Sequence, residues 1–233
     1  MNAAPAGGAR ADFSHDVEIL RHVWIPMRDD VRLAARVWLP ADARERPVPA
    51  IFEYIPYRKN DATATRDAHI HPYFAGHGYA SVRVDLRGSG DSEGILRDEF
   101  LLQEQQDGVD VLAWLAAQEW CDGSIGIIGK SWGGFNGLQI AAHQPKELRA
   151  VISVCSADDR YATDVHYMGG CLLASEMLPW SATMLAYIGR PPDPVVLGER
   201  WRDVWHERTS SLADASRGGE HDDGRRTMVP RHQ

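Results

Sequence analysis

The sequence predicts an α/β fold with a mostly parallel sheet and helices on both of its faces, and two observations predict it. The segments "VPAIFEYIPY", "YASVRVDLRG" and "SIGIIG" contain short, nearly continuous apolar runs, which are typical of strands buried on both faces. Segments with apolar residues at helical spacing separate the later runs, so strands and helices alternate along the chain. At 233 residues with 44% hydrophobic content, the chain can bury one good core.

The first structured element is a predicted hairpin. Residues 1–16 are small and polar and are expected to form a disordered lead-in. Residues 17–40 contain two alternating apolar and polar runs, separated by the turn-forming triplet 28–30. This pattern indicates two strands joined by a turn.

Two strand, helix, strand units are predicted to follow. In the first, Val109, Leu112, Ala113 and Ala116 fall at helical spacing between "YASVRVDLRG" and "SIGIIG". In the second, a helix in "GGFNGLQIAAHQP" ends near Pro145, and "LRAVISVCS" returns as a strand. After this strand, "YATDVHYMGGCLLASEMLPWSATMLAYIG" and "GERWRDVWHER" predict short helices.

These patterns divide the chain into four parts. The lead-in of residues 1–16 precedes an α/β core at 17–160, a helical segment at 161–208, and a polar tail at 209–233. The composition changes abruptly at the start of the tail, and an out-of-frame stretch would explain that change.

Composition excludes several classes of partner. The net charge is −8, so nothing draws the chain to nucleic acid or to anionic lipid. No secretory leader and no apolar run long enough for a bilayer are present, so no membrane association is expected. The three cysteines, Cys121, Cys155 and Cys171, are odd in number and far apart, which favours a reducing cytoplasm over a disulfide framework.

The stretch "GIIGKSWGGF" carries the main functional signal. It places Ser131 in a G-x-S-x-G motif between Gly129 and Gly133, directly after a predicted buried strand and at the start of a predicted helix. Such a sharp turn holds a serine in a strained conformation, with its hydroxyl exposed and the amide of the next residue, Trp132, aimed at a developing oxyanion. The alternative is a glycine-rich turn with a passive serine.

A second oxyanion donor is suggested by "FEYIPYRKND". Tyr54 and Tyr57 lie at the end of a predicted strand, and Pro56 fixes the direction in which the chain leaves it. The residues alone leave two roles open for Tyr57, an oxyanion donor and a packing tyrosine.

Four segments in order resemble the X-Pro dipeptidyl-peptidase and cocaine-esterase type (CocE/NonD) family of α/β hydrolases. They are "PYRK", "VDLRGSGDSEG", "WCDGSIGIIGKSWGG" and "CSADDRYATDVHYMGG", and the resemblance covers about residues 17–208. It implies an α/β-hydrolase fold with Ser131 as nucleophile and with Tyr57 and the Trp132 amide as oxyanion donors. It also implies that 161–208 is part of a helical cap and that the fold is incomplete here.

Other polar residues are assigned structural roles. Asp85, Arg87, Asp91 and Ser92 lie in a loop after a strand and are expected to brace the rim of the site. The group His69, His71 and His77 is expected to bind no metal, because no cluster of carboxylates or cysteines accompanies it in the sequence. No cofactor is expected.

Four aromatic residues of the helical segment, Tyr161, Tyr167, Trp180 and Tyr187, are expected mainly in the core. The resemblance implies that some of them line an acyl pocket.

The rest of a catalytic triad is not evident. α/β hydrolases carry the acid and then the histidine on loops after later strands, and no later strand is predicted. His221 with Asp222 or Asp223 is an unconvincing pair in the polar tail, while Asp158, Asp159 and His166 fall in a segment that the resemblance assigns to the scaffold.

Two functions therefore stay open. The first is a serine hydrolase that cleaves a small-molecule ester, amide or peptide through an acyl-enzyme. The second is a truncated, inactive hydrolase fragment or pseudoenzyme that binds a small ligand or a partner. An unpaired sheet edge would also favour self-association into a homo-oligomer.

Overall fold

A computed structural model describes residues 12–216. Six strands form one sheet: β1 Val17–Pro26, β2 Arg32–Pro40, β3 Val48–Ile55, β4 Ala80–Asp85, β5 Cys121–Lys130 and β6 Leu148–Val154. Their order across the sheet is β1-β2-β4-β3-β5-β6. β1 and β2 pair antiparallel, as do β2 and β4, whereas the pairings among β3, β4, β5 and β6 are parallel. The predicted mostly parallel sheet is confirmed.

Helices flank this sheet. They are α1 Ala64–Gly76, α2 Leu102–Ala116, α3 Trp132–Ala142, α4 Ala174–Ile188, α5 Pro194–Leu197 and α6 Trp201–Ser216. The fully apolar faces of β2, β3, β4 and β5 supply most of the buried core, together with α2 and α3. Among the described residues, no helix has the length and apolar character needed to cross a bilayer.

Helix α1 has no counterpart among the sequence predictions. It contains the segment "HIHPYFAG", whose histidines were expected on a surface loop or at a helix start. His71 is instead buried against the sheet, with its Nδ1 2.8 Å from the Ser81 hydroxyl. His69 is exposed, whereas His71 is buried because one turn of this helix faces β4.

The buried face of α2 also differs from the predicted one. Glu104, Asp107 and Leu115 are buried, whereas Ala113, which was placed on the apolar face, is exposed. The inward face therefore begins with two acidic residues, which apolar periodicity does not detect.

Strand pairing brings the functional segments to one edge of the sheet. β3 and β5 pair in parallel with Phe52 opposite Ile127. Since parallel strands end at the same edge, the chain leaving β3 toward Tyr57 and the chain leaving β5 toward Ser131 emerge side by side.

Helix α6 runs past the boundary predicted at residue 209. The hydroxyl of Thr209 donates to the Trp205 carbonyl at 2.9 Å, and that of Ser211 donates to the Glu207 carbonyl at 3.0 Å. These back-bonds let polar residues continue the helix. The proposed pair of His221 with Asp222 or Asp223 lies outside the described residues.

The side of the sheet next to the cap carries exposed apolar residues. β6 is the edge strand, and Ile152 and Val154 on it are 56% and 41% exposed. Leu178 on α4 is 75% exposed. Within residues 12–216 this surface has no covering element.

Candidate active site

Ser131 lies at the junction of β5 and α3. The strand ends at Lys130 and the helix begins at Trp132, so Ser131 is the residue that turns the chain. Its backbone angles are φ 55° and ψ −118°, a strained conformation for a residue with a side chain. The Ser131 amide donates to the Val154 carbonyl at 2.8 Å, which fixes the turn to the end of β6.

The flanking glycines are needed because the turn brings backbone against backbone. A Cβ atom on Gly129 would lie 2.1 Å from the carbonyl carbon of Gly133. A Cβ atom on Gly133 would lie 2.7 Å from the side chain of Ile55 on the neighbouring strand. Only hydrogen fits at these two positions, so the G-x-S-x-G spacing is a packing requirement of this turn.

Tyr57 reaches the same point from β3. Its hydroxyl lies next to the side chain of Ser131 and the backbone amide of Trp132, and both lower its pKa. Burial outweighs them and raises the pKa of Tyr57 well above its usual value of 10.0. The phenol therefore remains a protonated hydrogen-bond donor at neutral pH, and the structure brings together all three residues of the predicted site.

Tyr54, the other tyrosine of this segment, occupies a different environment. Its ring is buried, and its hydroxyl has no hydrogen-bond partner among the described residues. The Tyr54 carbonyl accepts from the Asn136 side chain at 2.9 Å, which ties α3 to β3. Tyr54 therefore belongs to the scaffold beneath the site.

Aromatic residues of the cap pack over this site. The Trp180 ring lies 6.0 Å from that of Tyr57, edge to face, and 6.4 Å from that of Trp132. The Tyr187 ring lies 6.1 Å from Tyr57.

Tyr161, in contrast, is 70% exposed, so its expected place in the core was wrong; it sits at the start of the cap, outside the sheet. The ring of Tyr167 lies 5.0 Å beneath the guanidinium of Arg160.

An acid and histidine pair packs against Trp180. The His166 ring stacks on the Trp180 ring at 5.8 Å, and its Nδ1 lies 3.4 Å from Asp164 Oδ1. The other oxygen of the buried Asp164 lies 3.4 Å from Arg160 Nε. Within residues 12–216, no histidine ring is hydrogen-bonded to the Ser131 hydroxyl.

Asp159 has a local structural contact. One of its carboxylate oxygens accepts from the amides of Tyr161 and Ala162, at 2.9 and 3.0 Å. It therefore shapes the turn into the cap.

The loop after β4 braces the site. Asp91 binds the ammonium of Lys59 at 2.5 Å, and Asp85 accepts from the Lys59 amide at 2.9 Å. Ser92 donates to the Asp85 carbonyl at 2.6 Å. Arg87 binds the carboxylate of Asp107 through two hydrogen bonds. These contacts hold the chain around Tyr57 in place and do not touch Ser131.

A second cluster of titratable groups lies away from the site. Ligand atoms of Glu53, Asp67 and His71 lie within 4.8 Å of one another and are buried. The sequence did not reveal these carboxylates because they come from β3 and α1. The guanidinium groups of Arg66 and Arg83 contact the same carboxylates, so an ion-pair network already compensates their charge.

Glu104 is a residue next to the site that sequence reasoning missed. The indole Nε1 of Trp132 donates to Glu104 Oε1 at 2.6 Å. The only sequence feature that could have indicated Glu104 was its position, at helical spacing before the buried residues of α2. A search for apolar residues at helical spacing does not detect a buried glutamate.

Comparisons with known proteins show which family this chain resembles. A family model described as X-Pro dipeptidyl-peptidase (S15 family) matches residues 29–227. A cocaine esterase from Rhodococcus sp. (strain MB1 Bresler) is 35% identical over 167 residues, which cover 70% of this chain and 28% of that protein. The chain spans between 26% and 39% of the length of the curated relatives it matches.

Solved structures show the same fold. A CocE/NonD family hydrolase from Staphylococcus aureus superposes with a TM-score of 0.64 at 23% identity, over 79% of this chain and 37% of that one. An alpha-amino acid ester hydrolase gives a TM-score of 0.55 at 25% identity, over 72% of this chain and 30% of that one. The predicted α/β-hydrolase fold is confirmed.

Proposed function

The chain belongs to the X-Pro dipeptidyl-peptidase (S15) family of hydrolases, and we propose that it cleaves ester or amide bonds through an acyl-enzyme formed on Ser131. The observation that carries the proposal is the convergence of three groups at one edge of the sheet. The Ser131 side chain, at the strained turn, and the Trp132 amide both lie next to the Tyr57 hydroxyl.

The chemistry follows from that cluster. The Ser131 oxygen attacks the substrate carbonyl carbon, and its proton passes to a general base, which the described residues do not identify. The carbonyl oxygen becomes an oxyanion that accepts from the Tyr57 hydroxyl and the Trp132 amide. Collapse of this intermediate expels the alcohol or amine, and water then cleaves the acyl ester of Ser131.

The substrate class is argued from the walls of the site. Trp180 and Tyr187 present aromatic rings beside Tyr57, which suits an apolar acyl group. Two of the similar proteins are named as an esterase and as an amino acid ester hydrolase. We therefore favour an ester substrate, with an X-Pro peptide as the alternative that the family description suggests.

The cellular compartment is also a proposal. Cys121, Cys155 and Cys171 are all free thiols, and free thiols suit the reducing cytoplasm.

A second candidate function is a binding module without turnover. It is favoured by one observation, that no histidine within residues 12–216 is hydrogen-bonded to the Ser131 hydroxyl. A serine without its base keeps only the rate that the oxyanion hole and binding provide, roughly 10³–10⁴-fold over water. In this case the chain would bind an ester or a partner but turn over almost nothing.

Covalent labelling distinguishes these possibilities. The purified chain is treated with a fluorophosphonate, and the modified peptide is identified by mass spectrometry, alongside turnover of p-nitrophenyl acetate. Labelling of Ser131 with turnover supports the hydrolase, and negligible labelling with negligible turnover supports the inactive alternative. Ser131→Ala should lose the label, whereas Ser124→Ala, a serine of the same strand, should keep it. A label that persists in Ser131→Ala overturns both candidates.

A further inference from the structure

Glu104 is a buried acid that the proposed chemistry does not use, yet it touches the residue that follows the nucleophile. It lies in the first turn of α2 and is 7% exposed. Its Oε1 accepts from the Trp132 indole at 2.6 Å, and Trp132 is itself only 4% exposed. A hydrogen bond to a charged acceptor that is buried away from water is short and strong.

The second oxygen of Glu104 holds another part of the same wall. Its Oε2 accepts from the Phe100 amide at 2.9 Å, and Phe100 has a φ of 62°, which is unfavourable for an aromatic residue. The Phe100 ring packs on the rings of Trp132 and Phe135, at 5.2 and 4.8 Å. One carboxylate therefore holds the Trp132 indole at its nitrogen and orders the ring that packs against it.

The consequence reaches the oxyanion site through the backbone. Trp132 is the first residue of α3, and its amide lies next to the Tyr57 hydroxyl, whose pKa it lowers. Its side chain and its amide belong to one residue next to a strained turn, so fixing the indole restricts the rotation of that amide. Donors for an oxyanion act well only when they are held in advance at the correct position.

We propose that Glu104 is a positioning residue, whose carboxylate anchors the Trp132 indole and so orients the Trp132 amide toward the oxyanion. This inference rests on the proposed function of Ser131 and extends it by one residue.

The surroundings of Glu104 let it exchange a proton near neutral pH. Burial raises the pKa of Glu104 to about 7, although the bond from Trp132 lowers it. A cavity of about 330 Å³ is lined by Glu104 and by Tyr54. The Tyr54 hydroxyl has no hydrogen-bond partner among the described residues. The other charged groups that face this cavity or Glu104 are Arg87, Arg97, Asp98, Glu99, Asp107 and Glu207. The ionised form accepts both N–H donors, whereas the protonated form accepts them less well.

The test uses the full chain and two readouts. The first is the rate constant for acylation of Ser131 by p-nitrophenyl acetate or a fluorophosphonate. We expect Glu104→Gln to lower it about tenfold with little change in the half-saturating concentration. Trp132→Phe, which removes the indole donor together with part of the ring, should lower it by at least a similar factor, and the double variant should lose no more than Trp132→Phe alone. Asp110→Asn, the same change elsewhere on α2, serves as the control.

The second readout does not depend on acylation of Ser131. In ¹H–¹⁵N spectra, the Trp132 indole and amide signals should both move with pH through about 7, and Glu104→Gln should abolish both movements. Additive losses in the double variant, or an amide signal indifferent to Glu104, overturn the proposal. If no acylation is measurable, the spectra alone decide. If acylation survives Ser131→Ala, the proposed function fails first, and this inference fails with it.

Discussion

The ammonium of Lys59 lies 2.5 Å from the carboxylate of Asp91, and the two side chains are 0% and 3% exposed. Lys59 follows Tyr57 by two residues, and Asp91 also accepts from the Asp193 amide of the cap at 2.9 Å. One buried ion pair therefore joins the segment that carries Tyr57, the loop after β4 and the cap.

The first prediction concerns that pair. We expect Asp91→Asn to lower the free energy of unfolding by roughly 3–5 kcal/mol, because it leaves the Lys59 ammonium buried without its counter-ion. Urea unfolding measures the change. Lys146→Gln removes the exposed partner of Glu147, where the lysine side chain is 92% exposed, and should cause no measurable loss. Equal effects of the two variants would contradict the structural role of Asp91.

The second prediction concerns the turn at Ser131. Gly129→Ala should destabilise the protein by on the order of 3 kcal/mol, because its Cβ meets the Gly133 backbone, which cannot move aside. Gly126→Ala, on the same strand, is the control, since its Cβ would come no closer than 3.8 Å to another atom. Thermal unfolding of both variants tests the difference, and tolerance of alanine at Gly129 would contradict the tight turn.

The sheet and the turn could be predicted from the sequence, and α1 and the acid at Glu104 could not. Buried strands require apolar residues and the strained turn requires glycines around Ser131. These residue types can be read from the sequence, so the strands and Ser131 were evident. The inward face of α2 begins with carboxylates, whose burial depends on donors that arrive from Trp132 and Phe100. Those donors are distant in sequence, and only the fold brings them to Glu104.

The third prediction is a pH dependence of stability. The ordinary pKa of a glutamate is 4.5, and Glu104 has a pKa of about 7 in the folded chain. Between these values the folded state binds the proton more tightly, so the free energy of unfolding should fall as pH rises, by about 3 kcal/mol across the window. Glu104→Gln should remove this fall, as measured by urea unfolding at pH 5 and pH 8.

The difference between the unsubstituted chain and Glu104→Gln isolates the contribution of Glu104 to the pH dependence. His22, whose pKa is lowered to about 4 by burial, acts in the opposite direction, because its contribution is lost as pH falls from its ordinary value of 6.5 toward 4. It is present in both proteins and cancels in their difference. A difference that does not change with pH would show that Glu104 titrates normally.

The fourth prediction separates the two tyrosines of the β3 end. Tyr57→Phe removes a hydroxyl that lies next to the Ser131 side chain and the Trp132 amide, so it should slow acylation of Ser131 by on the order of 10²-fold, because the lost donor stabilises the oxyanion. Tyr54→Phe makes the same change three residues earlier, at a buried hydroxyl without a partner, and should leave the rate unchanged. The half-saturating concentration should be similar in all three proteins, because the donor acts on the transition state. A loss confined to substrate affinity would make Tyr57 a binding residue, and equal losses in both variants would reduce its role to packing.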